Sequence, residues 1–128
     1  MVTLRLAIVV LVATLLASTL GCARAHLRLA MGRVQQAQTM LDDRIHARMR
    51  EEIPAAVDNL ERALRDPHIA ASPLHVGDGR FAELLSNAFA GIDEFRKGSI
   101  GASMDDMFIV RGAITQACAG CHDEYKPR

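Results

Sequence analysis

Near its C-terminus the chain reads Cys118-Ala119-Gly120-Cys121-His122. Residues three and four apart share one face of a helix, so both thiols and the imidazole point to the same side. Two thiols at that separation can add to the two vinyl groups of a porphyrin, and the histidine that follows can reach its iron. The string is therefore read as a c-type haem attachment sequence. Ala119 and Gly120 are small and leave the porphyrin edge clear. Three other chemistries would use only part of the set. A zinc site wants a fourth ligand, and no second cysteine pair follows Cys22. A thioredoxin-like redox pair wants a βαβ context. A structural disulfide between Cys118 and Cys121 leaves His122 without a role.

These residues need a helical frame, and the composition supplies one. The 128 residues are 50% hydrophobic, enough for one small domain. Ala, Leu, Met and Arg are plentiful and β-branched residues are sparse after residue 20, which favours helix over sheet. Fifteen basic residues balance fifteen acidic ones, which argues against binding nucleic acid through a strong basic field. With no Trp, one Tyr and four Phe, a base-stacking surface is not expected either.

The N-terminal 25 residues read as an export signal. Arg5 precedes an apolar run from Leu6 to about Leu16, and small residues follow. The run is short for a membrane span, and a retained N-terminal anchor is the alternative. Two processing sites compete. Ala23-Arg24-Ala25 would free His26 as the mature N-terminus. Ser18-Thr19-Leu20-Gly21-Cys22 resembles a lipobox, in which the signal ends at residue 21 and Cys22 carries lipid; this site is slightly preferred. Either way the domain, residues 26–128, is expected in the periplasm, membrane-anchored if Cys22 is lipidated.

From His26 the apolar spacing is helical. Leu27, Met31, Val34, Leu41, Ile45 and Met49 form one stripe of a first helix ending near Glu52, before Pro54. A second helix begins at Pro54, carries Val57, Leu60 and Leu64, and stops before Asp66-Pro67; one long helix kinked at Pro54 is the alternative. Residues 67 to 79 read as a loop. Asp78 caps a third helix with Phe81, Leu84, Leu85, Ala88, Ile92 and Phe95 inward, stopping at Gly98. Ser103 starts the last helix, which carries Met107, Val110, Ile114, Ala117, Cys118, Cys121 and Tyr125 on one side. The expected architecture is all-α, an antiparallel four-helix bundle.

The ending Gly112 to Lys126, with Cys118-Ala119-Gly120-Cys121-His122-Asp123-Glu124-Tyr125-Lys126, resembles the last helix of class II c-type cytochromes. That class comprises high-spin cytochrome c′ and its low-spin, methionine-ligated relatives. The resemblance implies a four-helix bundle with one covalent haem c near the C-terminus and His122 as the fifth iron ligand. It also implies a sixth position on the first helix, where Met31 lies. Met40 is the second candidate, and His26, His46, His68 and His75 rank lower because they look exposed. A methionine on an apolar stripe is also ordinary core. Arg28, one turn before Met31, is the first choice for meeting a haem propionate, with Arg33 and Lys126 behind it.

The sixth position decides function. A thioether there suits electron transfer, whereas an apolar residue leaves the iron open to small gases. The expected activity is thus that of a periplasmic or membrane-tethered one-electron carrier, the alternative being a cytochrome c′-like protein that binds NO or CO. No acid–base pair or nucleophile stands out, so an enzyme is not expected. The expected partners are redox proteins, a membrane surface if Cys22 is lipidated, and a second copy of the chain in a homodimer.

Overall fold

The computed structural model describes residues 2–125, with side chains from residue 7 onward. The fold is all-helical, with no strand among the described residues. It comprises α1 (Val2–His46), α2 (Ile53–Leu64), the short α3 (Pro67–Ala70), α4 (Gly79–Ser99) and α5 (Met107–Tyr125), with one 3₁₀ turn at Arg50–Glu52.

The first helix is longer at its start and shorter at its end than the apolar pattern predicts. Residues 7–22 are exposed and touch no core, although they continue α1 without a break. This helix is long and apolar enough to cross a membrane by length and composition. From Leu27 onward α1 turns an apolar face inward, with Ala30, Val34, Ala37, Leu41 and Ile45 buried.

The helix stops at His46, not near Glu52, and the reason is backbone geometry. Arg48 adopts a left-handed φ of 57°. Its N–H donates to the Ile45 carbonyl at 3.1 Å, and the Met49 N–H donates to the Arg44 carbonyl at 2.9 Å. That pair of bonds is a Schellman stop, with arginine at the position glycine usually holds. Helices one and two are therefore separate, and Met49 leaves the stripe it was assigned to. Pro54 sits in the first turn of α2, where its missing N–H costs nothing.

The stretch read as a loop from residue 67 opens with α3. Asp66 accepts from the His68 N–H and Pro67 follows as the first helical residue, so the turn is capped at its start. It buries Ile69. Asp78 caps α4 as expected, accepting from the N–H groups of Arg80 and Phe81. That helix runs past Gly98 to Ser99, and the reversal falls on Gly101, at φ 74°. Ser103 Oγ accepts from the Asp106 N–H at 3.0 Å just before α5 begins.

Neighbouring helices run antiparallel, as their cross-contacts show. Arg44 meets Glu52 and Arg33 meets Asp66, so α2 and α3 return along α1. Arg96 reaches Asp58 and Glu61 while Arg65 lies over Phe89, which aligns α4 against α2. Gly98 abuts Val110, Gly91 abuts Ala113, and Arg80 pairs with Glu124, along α4 and α5. Asp42 and Gln38 of α1 bond to Arg111 and Cys118 of α5. Phe95, Leu41, Ile45, Leu60, Ile92, Met107 and Ile114 fill the centre, each almost fully buried. Such side chains contribute about 1.5–3 kcal/mol apiece.

Candidate functional site

Towards the C-terminal end of α5, the space between α5 and α1 is not filled by side chains. An apolar cavity of about 180 Å³ lies there. Cys118, Cys121 and His122 line it from α5, and Leu27, Met31 and Val34 line it from α1. A wider, more open cavity of about 960 Å³ shares Met31, Gln38, His75 and His122 and continues past Arg24 and Arg28 to the surface.

The helical phase of α5 explains the thiols' position. Ile114, Cys118, Cys121 and Tyr125 recur at intervals of four, three and four, one continuous stripe. Both cysteines are free thiols. Burial pushes the Cys118 thiol up, against the opposing pull of Arg111 and of a hydrogen bond from Gln38. Burial also raises Cys121, with Cys118 and Glu124 adding to it. Both shifts run opposite to those of reactive redox pairs, whose thiols are pulled down. Among the described residues, no three Cys, His, Asp or Glu side chains converge to hold a metal ion by themselves.

Met31 is half-buried and borders both cavities, on the wall facing the α5 residues. Met40 is 38% exposed and borders neither, which removes it from the site. Arg28 borders the wider cavity. Arg33 does not; its guanidinium is held by Asp66 at 2.6 Å. Lys126 lies outside the described residues.

The histidines divide differently from their sequence ranking. His26 stacks on His68, and His46 sits edge-on to Phe108, all outside the cavities. His75 is half-buried and lines both. Its ring stacks on Phe81 at 4.0 Å between centroids and meets the Tyr125 ring edge-on at 5.1 Å. The Tyr125 hydroxyl donates to Asp78 Oδ2 at 2.7 Å, so the α4 cap, the loop and the end of α5 are joined there. Only the tertiary fold brings the loop histidine inward.

Two further residues went unread. Arg24 lines the wider cavity beside Arg28, one turn away on α1. Arg111 is 7% exposed, although it is charged. Its Nε donates to Asp42 Oδ1 at 2.8 Å and its Nη1 to Thr115 Oγ1 at 3.1 Å. The available signal was its phase: Met107, Arg111, Ile114 and Cys118 form one stripe.

The donor set fits a covalently held haem. Two thiols share one helix face over an apolar cavity, an imidazole follows them, and a thioether stands on the opposing wall. Guanidinium groups border the side open to water. Compared with protein-family models, curated proteins and solved structures, the chain matches none.

Proposed function

We propose that the chain is a monohaem c-type cytochrome of the class II kind, an antiparallel four-helix bundle that carries single electrons in the periplasm or at a membrane. The observation that carries this reading is the shared apolar cavity: Cys118, Cys121 and His122 meet Met31 across it.

In this reading Cys118 and Cys121 would hold the haem covalently, and His122 and Met31 would be the side chains that ligate its iron. The haem supplies reversible one-electron chemistry at its iron. Leu27, Val34, Leu84 and Leu85 keep water from the buried face, which favours the less charged, reduced state. As a ligand, the soft Met31 sulfur would work in the same direction and would leave less room for a gas to bind. Arg24 and Arg28 offer the propionates cationic partners where the cavity opens. The exposed apolar start of α1 and the small residues after it support export, with Cys22 as the lipid site.

The test is chemical. Denature the exported protein in acid and extract it with organic solvent. Haem should remain with the chain, on a peptide containing both Cys118 and Cys121. Haem leaving with the solvent would end this reading. A ferrous protein that takes up carbon monoxide at once would turn it towards gas binding.

A further inference from the structure

Gln38 sits on α1 between the two features of this site that no simple apolar pocket needs. Its Nε2 donates to Cys118 Sγ at 3.3 Å. Its Oε1 accepts from Arg111 Nη2 at 3.4 Å. The same arginine donates to Asp42 through Nε at 2.8 Å and is itself buried, although it lines neither cavity. Gln38 and Asp42 stand four residues apart on α1, and Arg111, Thr115 and Cys118 recur at four and three on α5. The network therefore follows from helical phase on both sides.

The order of atoms in this chain is chemically determined. A guanidinium group has donors only, so the amide must turn its oxygen to Arg111. Its NH₂ is then left facing the sulfur. Arg111 in turn is paired with Asp42, and burying a guanidinium without such a partner would be costly. Asp42 fixes Arg111, Arg111 fixes the amide, and the amide presents a donor to the sulfur.

We propose that Gln38 is a positioning residue for the Cys118 sulfur, with its amide direction set by the buried Arg111 and its half-exposed partner Asp42. This rests on the haem reading above and deepens it. A thioether sulfur keeps lone pairs, so the hydrogen bond survives attachment with the same donor. With haem attached, the donor end of the amide would face the bonded sulfur and would favour the reduced state. Hydrogen bonds around a redox centre are among the levers that set its potential.

The experiment measures the reduction potential of the haem-loaded full chain, with peptide mapping of both thioether bonds. Gln38→Met keeps the length and removes the donor; the potential should fall while both bonds remain. Gln38→Glu keeps a partner for Arg111 and places negative charge at the sulfur, so its potential should fall further. Arg111→Met frees the amide and leaves Asp42 unpaired, and should also lower it. Once the arginine is gone, adding Gln38→Met should have little further effect. A purely structural role would lower the melting temperature and leave the potential where it was. An unchanged potential in folded, haem-bearing Gln38→Met and Gln38→Glu overturns the inference and leaves the haem reading standing. A wild-type chain without covalent haem overturns both.

Discussion

The carbonyl oxygen of Ala113 lies 2.9 Å from where a Cβ on Gly91 would stand, and the Ala117 methyl lies 3.1 Å from it. The missing side chain lets α4 and α5 touch along their backbones one turn before Cys118. Alanine at 91 would gain about 1 kcal/mol of helix propensity. It would also force a backbone carbonyl to move, and overpacking of this kind costs about 1–3 kcal/mol. Gly91→Ala should therefore destabilise the protein in denaturant titrations. Gly98→Ala should cost less, because there the clash is with the tip of the Val110 side chain at 2.7 Å. Equal losses at the two sites would show that the close approach at Gly91 is not what matters.

Met31→Ala should turn the spectrum from low-spin towards high-spin and admit carbon monoxide to the ferrous iron. Met40→Ala should do neither, since Met40 borders neither cavity. His75→Ala is the necessary control, because His75 shares both cavities with Met31. If the spectrum responds to His75→Ala and not to Met31→Ala, the sixth ligand is on the loop and not on α1.

Stability should depend on the group between α1 and α5. Without a group there, the apolar lining from Leu27, Val34, Leu84 and Leu85 lacks the packing partner that the group would give it. The Cys118→Ala, Cys121→Ala double variant should lose helix signal or melt far below the haem-bearing chain. Matching melting curves would refute the dependence.

Two groups tie stability to pH in opposite directions. The backbone N–H of His68, then its ring and Arg33, hold the Asp66 carboxyl down to about 2 from 3.8. A depressed acid contributes fully above 3.8, and that contribution is lost as pH falls towards about 2. The hydrogen bond to Asp78 pushes the Tyr125 phenol up to about 12 from 10.0, with burial adding to it. A raised pKa contributes fully below 10.0, and that contribution is lost as pH climbs through about 12. Melting temperatures across pH should show Asp66→Ala flattening the acid limb and Tyr125→Phe the alkaline one. A Tyr125→Phe variant with the wild-type alkaline slope would mean that the Asp78 bond contributes nothing.

Membrane fractionation should place the wild type with membranes and Cys22→Ala in the soluble fraction. A wild type that is already soluble, and unaffected by the change, would refute lipidation.

Local chemistry made some of this readable in advance. The Cys118-Ala119-Gly120-Cys121-His122 spacing already places the two thiols on one helix face, and Asp78 and Pro54 mark helix starts through their own backbones. The α3 turn could have been read the same way, since Asp66-Pro67 is a capping pair; proline punctuation hid it. The stop at Arg48 was less accessible, because arginine rarely takes a left-handed conformation and no glycine stands there. The placement of His75, Arg24 and Asp42 depends on how separate elements meet, and single-helix periodicity does not encode that. Arg111 was in phase with its apolar neighbours, but the pattern counts only apolar residues on a stripe.

The unbroken run of α1 from Val2 to His46 has a mechanical meaning. One helix carries Cys22 and the Met31 wall, and the rise between them is about 13 Å. A lipid on Cys22 would therefore hold the redox site on a stiff post rather than on a leash. Under the proposed function, such a post would keep the site close to its anchor, so a redox partner would have to approach the membrane surface to reach it.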